Sequence, residues 1–388
     1  MYSVSDFDDI CAYSDELAVS KLHELFGQPE FVAFISNLFP EIDFEAMVKA
    51  MSNFTSVDDI QHTVVKPLLE HLIKKSTTAL TASGIENMSS SSALYMSNHR
   101  DIVMDPALLQ LTLLRHGHIS TEIGIGDNLL SHEWIRNFVR INKSFIVKRG
   151  LTPRDLARVF SQLSAYIRYT ITDKKASVWI AQREGRAKDS NDRTQESILK
   201  MFALSGTGSI IDNLRPLNIS PLAISYEYDP CDYLKAYEAQ RRRDDANFRK
   251  APNEDMISMQ TGIMGFKGRV HYTFTPSINS DLDQIEAQGL SRKEQLAAIC
   301  ALCDRRIHAS YVIYPVNRMA YSLLTGDNHI LFADPQPARC RAKEYLESRL
   351  ALITDPKADN DFLWKKLLEM YANPLINHIE AKKQMQQR

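Results

Sequence analysis

Ser97-Asn98-His99-Arg100-Asp101-Ile102-Val103-Met104-Asp105 follows the apolar run Ala93-Leu94-Tyr95-Met96 and precedes Pro106. The apolar run reads as a buried strand, and Asp105-Pro106 reads as an N-cap with proline at the first helical position. His99 then sits in a strand-to-helix connection, where α/β proteins place reactive groups. An imidazole held by a carboxylate can make a hydroxyl nucleophilic at neutral pH, and two carboxylates, Asp101 and Asp105, lie close in sequence. A histidine that only ties down its turn is the commonplace alternative, and this segment by itself favours neither.

Two more strand ends tip the balance. The apolar residues up to Ile180 run into Ala181-Gln182-Arg183-Glu184-Gly185-Arg186-Ala187-Lys188, in which a glycine between arginines lets backbone and guanidinium groups approach an anion together. Lys143-Ser144-Phe145-Ile146-Val147 reads as a short strand ending in the adjacent cations Lys148 and Arg149. Three strands therefore finish in His/Asp, Lys/Arg and Arg/Glu/Gly/Arg. Parallel neighbours would bring these groups to one edge of a sheet.

In this order the chain resembles the glycerolipid acyltransferases, which acylate glycerol 3-phosphate or lysophosphatidic acid. That family carries His-x4-Asp, Gly-x-x-Phe-x-x-Arg, Phe-Pro-Glu-Gly-Thr-Arg-Ser and a late Val-Pro motif. The corresponding stretches here are His99 to Asp105, Lys143-Ser144-Phe145 to Arg149, Arg183-Glu184-Gly185-Arg186, and Ser220-Pro221-Leu222-Ala223-Ile224, within residues 91–230. Four motifs in order are far more specific than any one of them. The chain departs from the pattern in two places: five residues separate His99 from Asp105, with Met104 where the family has its aspartate, and the third motif lacks its proline and has Arg186-Ala187 for Thr-Arg.

The resemblance implies His99 as general base, oriented by Asp105, with Asp101 the alternative. It implies Arg149 and Arg186, helped by Lys148, Arg183 and Lys188, as the binders of an acceptor phosphate around Gly185, with Glu184 orienting an arginine. It also implies an acyl thioester donor, acyl-CoA or acyl carrier protein, and no metal or other cofactor. The acceptor would be lysophosphatidic acid first and glycerol 3-phosphate second, with an amino-acid lipid as a further choice.

Composition is that of a globular chain. With 388 residues and 44% hydrophobic content it can bury a large core, and a net charge of -2 speaks against a whole-protein nucleic-acid role. No apolar run is long enough for a transmembrane helix, the acidic start lacks a signal-peptide pattern, and five cysteines suit a reducing compartment. A cytoplasmic protein touching the inner face of a membrane only peripherally is the expectation. Cys300 and Cys303 form a Cys-x-x-Cys pair, but in a helical pattern without a second ligand pair they read as buried helix residues.

Periodicity divides the chain into a helical region (1–88, with no convincing strand), an α/β domain (89–279) and a C-terminal helical extension (280–388). The middle alternation of strands and helices predicts a largely parallel central sheet flanked by helices, with residues 195–213 as one helix. The apolar run at 31–39 reads as core packing before membrane contact. Arg241-Arg242-Arg243, followed by Asp244 and Asp245, reads as a solvated helix end before a site for anionic lipid or an acidic carrier protein. Two other classes stay open: a metal-dependent phosphoester hydrolase using His99, Asp101, Asp105 and Glu184, and a noncatalytic lipid-binding protein.

Overall fold

The computed structural model describes residues 2–41, 43–88, 91–130, 132–150, 152–251 and 253–387. Among these the alternation becomes one sheet of seven strands: β1 (Ala79–Ser83), β2 (Leu94–Ser97), β3 (Glu122–Gly126), β4 (Ser144–Val147), β5 (Val178–Ala181), β6 (Ile219–Tyr226) and β7 (Arg269–Phe274). Their order is β1-β7-β6-β2-β5-β3-β4. Strands β2 to β6 all run one way; β7 is antiparallel to β6 and parallel to β1. The fold is thus the α/β class expected, with a mostly parallel sheet and helices before and after it.

Strand β2 lies at the centre, and its sequence shows why. Leu94 and Met96 enter one core with Phe145, Ile167 and Val178, while Tyr95 enters the opposite one with Leu108, Trp179 and Tyr272. A strand covered on both faces has no reason to alternate with polar residues. Because the five strands β2 to β6 are parallel, they deliver their carboxyl ends, and the loops that follow, to one edge of the sheet.

Three readings change. The stretch expected to be helical throughout also supplies β1, whose residues Ala-Leu-Thr-Ala-Ser are too weakly patterned to announce a strand. Pairing with β7 makes it one, and Thr81 and Ser83 bond the His271 ring at 2.7 and 2.8 Å. The helix expected over 195–213 is two, Glu196–Ala203 and Ile210–Leu214. Ser209 and Asp212 cap each other reciprocally at 3.1 and 3.0 Å after the Gly206-Thr207-Gly208 break, which starts a new helix. The helix after β2 begins at Met104, so Asp105 lies inside its first turn and is not the N-cap.

In the helix Pro29–Leu38 and just beyond it, Phe31, Ile35 and Phe39 are buried at helical spacing, with Phe31 against Trp134 and Phe138. The 31–39 run is therefore core packing. Helices Pro315–Thr325, Gln336–Arg349 and Asn360–Gln386 close around an apolar cluster of their own. They reach the α/β part through Arg349, whose Nε donates to buried Asp232 at 2.7 Å. No described helix is long and apolar enough to cross a membrane.

Candidate functional site

Asn98 sets the turn after β2. Its side chain donates to the Ile224 carbonyl (2.9 Å) and accepts from the Ile224 amide (2.8 Å), so it continues the sheet bonding toward β6 with side-chain atoms. Trp179 on β5 braces the other side: its Nε1 donates to Ser97 Oγ at 3.0 Å and its ring meets His99 edge-on at 5.7 Å. Held between them, His99 places Nδ1 2.8 Å from Asp105 Oδ2. The same carboxylate oxygen accepts the backbone amides of Arg100 (2.6 Å) and Asp101 (3.0 Å), so it is fixed from three directions. An ionised carboxylate only accepts; Nδ1 therefore carries the proton and Nε2 keeps its lone pair.

Asp101 has a different task. Its Oδ1 accepts the amides of Val103 (2.9 Å) and Met104 (2.8 Å) and so opens the helix, which frees Asp105 for the imidazole. The extra residue between His99 and Asp105 is absorbed in this turn. Burial, reinforced by the neighbouring Asp105 charge, pushes the Asp101 carboxyl above its usual range.

His99 opens on a cavity of about 550 Å³ at the carboxyl edge of the sheet. One part of its wall is apolar, with Ile125, Val147, Phe160, Leu163, Ile180 and Met201; the other carries Lys148, Arg149, Arg183, Arg186, Lys188, Arg242 and Lys250 against Glu184, Glu238 and Asp255. Seven cations face three carboxylates there. Lys148 is paired with Asp9, and Arg149 with Glu184. Lys188 donates to Glu238 at 2.7 Å, and burial with nearby Arg186 brings its ammonium down to about 8. Arg183 and Arg186 form no ion pair within 4.0 Å among the described residues, on either side of Gly185, whose φ of +66° suits a residue without Cβ. The sequence-predicted residues thus converge, and the two arginines of the third motif are the cations left open to an anion.

No protein-family model matches this chain, and no curated protein shows significant sequence similarity to it. Among solved structures it is similar to a 1-acyl-sn-glycerophosphate (lysophosphatidic acid) acyltransferase from Thermotoga maritima, at a TM-score of 0.35 and 12% identity, over 72% of this chain and 95% of that one. At this level of likeness the chemistry has to come from the site's own residues.

Several residues that sequence reading passed over build the support. Asp192, fully buried, pairs with Arg100 at 3.1 Å and accepts the His99 amide at 3.4 Å; its carbonyl accepts from His308 at 2.9 Å, which ties the loop to the helix Arg292–Ala309. Lys235, on the helix Asp232–Asp244, donates to the Arg100 carbonyl at 2.8 Å and pairs with Asp229. The arginine run ends that helix and is engaged in ion pairs, Arg241 with Glu254, Arg242 with Glu238 and Arg243 with Asp244 and Asp359. Cys300 and Cys303 are buried in their helix, and burial pushes the Cys300 thiol up to about 12. Among the described residues no three His, Cys, Asp or Glu side chains gather to hold a metal as the hydrolase alternative needs; Asp101 accepts the Val103 and Met104 amides and Glu184 pairs with Arg149.

Gly262 shows how tightly the turn is packed. A Cβ there would stand 2.0 Å from Asp101 Oδ2 and 2.8 Å from its Cγ. The carboxylate cannot swing away without giving up its two amides. Gly262→Ala is expected to destabilise the protein by roughly 1–2 kcal/mol, overpacking outweighing a gain of about 1 kcal/mol in helix propensity. Urea unfolding measures this, and an unchanged or raised midpoint would show the turn to be soft.

Proposed function

We propose that this chain transfers an acyl group from a thioester, acyl-CoA or acyl carrier protein, to the hydroxyl of a phosphorylated glycerol acceptor, lysophosphatidic acid first and glycerol 3-phosphate second. The observation that carries the reading is a part-buried His99, held by fully buried Asp105, that faces one cavity with an apolar wall and two arginines without an ion pair among the described residues. A hydrolase acting on small polar esters has no use for the apolar side, and a lipid-binding protein has none for an oriented imidazole. At the site the phosphate would lie against Arg186 and Arg183, which present planar donors to a dianion. His99 Nε2 would take the proton of the acceptor hydroxyl as its oxygen attacks the thioester carbonyl. Asp105 favours the imidazolium that forms, and the tetrahedral intermediate then collapses with loss of the thiolate, which takes the proton back from His99. The products are the ester and the free thiol. Contact with membrane would be peripheral, from the cytoplasmic side.

Thiol release from a long-chain acyl-CoA, with and without each acceptor, tests the reading. Acceptor-dependent release is the expected result; no release with either acyl-CoA or acyl carrier protein would overturn it. Arg186→Ala should raise KM for glycerol 3-phosphate about 10- to 100-fold, the worth of a charge-assisted contact, while the slow reaction of unphosphorylated glycerol stays put. Equal losses with both acceptors would remove Arg186 from the phosphate site.

A further inference from the structure

A second cationic cluster lies on the cavity wall, beside the open Arg186, whose charge acts on Lys188. Glu238, only 6% exposed, receives Lys188 at 2.7 Å, Arg242 at 3.0 Å and Lys250 at 3.4 Å, and Lys250 also reaches Asp255 at 2.8 Å. Three cations against two carboxylates leave one positive charge. Lys188 and Arg242 belong to stretches singled out in the sequence, the arginine-glycine segment and the triple arginine; Glu238, Lys250 and Asp255 do not. Arg242 carries the cluster to the surface, its side chain being 56% exposed against 31% for Lys188 and 24% for Lys250.

Its place follows from one helix face. In Asp232–Asp244, Lys235, Glu238 and Arg242 follow one another at spacings of three and four, so they share a face. Lys235 braces the Arg100 carbonyl beside His99, and Arg242 stands seven residues on, about 10 Å along the axis at 1.5 Å per residue. Arg186 reaches both ways, its charge acting on Lys188 in the cluster and on buried Asp101 in the turn. An acceptor's phosphate is only a few bonds from the hydroxyl that reacts, so it belongs beside His99, with Arg186. A donor thioester is different: a long pantetheine arm separates the reacting carbonyl from the nearest phosphate, which must end toward the rim.

We propose that Lys188, Arg242 and Lys250, gathered on Glu238, bind the phosphate at the end of the donor's pantetheine arm. The inference rests on the acyl-transfer reading for its ligand, but its test needs no turnover. Calorimetric titration of the full chain, without acceptor, would compare 4'-phosphopantetheine with pantetheine, and CoA with dephospho-CoA. The wild type should prefer 4'-phosphopantetheine to pantetheine about tenfold, and Arg242→Ala or Lys250→Ala should each cut that preference roughly fivefold, as one partly exposed charge contact warrants. Lys250→Arg should restore it, which separates charge from misfolding. CoA and dephospho-CoA binding alike would assign the cluster to the arm phosphate shared with a carrier protein; a preference for CoA that Arg242→Ala abolishes, with none for 4'-phosphopantetheine, would overturn the assignment. Equal binding of 4'-phosphopantetheine and pantetheine, or variants that weaken glycerol 3-phosphate in place of the donor, would also overturn it. Thiol release failing while this preference persists would count against acyl transfer and leave the phosphate site standing.

Discussion

Asp105→Asn should lower kcat for acyl transfer on the order of 10³-fold, and His99→Ala by as much or more, with substrate binding little changed. An asparagine at 105 still offers one oxygen to the amides of Arg100 and Asp101, which now hold Asp105 Oδ2 at 2.6 and 3.0 Å. Its other terminus is a donor. If the oxygen serves the amides, the imidazole either faces a second donor at Nδ1 or loses its partner, and the tautomer with a proton on Nε2 gains weight. The ring stays close to its place while its base is lost. Single-turnover thiol release at saturating donor and acceptor isolates this step, and a circular dichroism spectrum with an unfolding midpoint checks that the variants fold. Wild-type turnover in either folded variant would sink the general-base role and send the search to another proton acceptor.

Such a pair could be read from sequence because the segment is local: strand, histidine, carboxylate and helix start follow within nine residues. The same locality made the ends of β4 and β5 legible, since a buried strand followed by cations needs no partner to be noticed. What was not legible depends on pairs distant in the chain. β1 is a strand because β7, nearly 190 residues later, pairs with it. The helix start was misplaced because Asp101 and Asp105 are equivalent as sequence; only the turn decides that the first takes the amides of Val103 and Met104 and the second the imidazole. Gly262, Asp192 and Lys235 gave no local signal, one being a glycine in a helix, one a loop aspartate and one a lysine among the charges of an apparently solvated helix.

Lys235 therefore bears the second large effect. Its side chain is 2% exposed and its partner Asp229 10%. Burial by itself would raise the Asp229 carboxyl, but the Lys235 ammonium, helped by the Cys231 amide and the Arg186 charge, holds the group below the usual carboxylate range. Lys235→Met keeps the volume of the stem and removes the charge, so Asp229 is left buried without its ion-pair partner, a loss of about 3–5 kcal/mol at pH 7. The pH dependence has a definite sign. In the wild type, a carboxyl held below its unfolded value of about 3.9 adds stability that is present above that pH and lost as pH falls through the folded value. In Lys235→Met, burial is opposed only by the Cys231 amide and the Arg186 charge, the folded value rises above the unfolded one, and the variant recovers stability as acid protonates Asp229. The gap between the two proteins should therefore be widest near neutrality and narrow toward pH 5, which urea titrations at the two pH values measure. A gap that stays constant or widens in acid would mean that Asp229 finds another cation, with Arg186 the nearest in charge effect. Function should follow the same loss: the Arg100 carbonyl gives up its 2.8 Å donor, the turn that carries His99 loosens, and kcat falls even in the folded fraction, by about tenfold for a displacement near 1 Å. The buried ion pair is thus a support for the imidazole as much as for the fold, and the two losses should appear together in one variant.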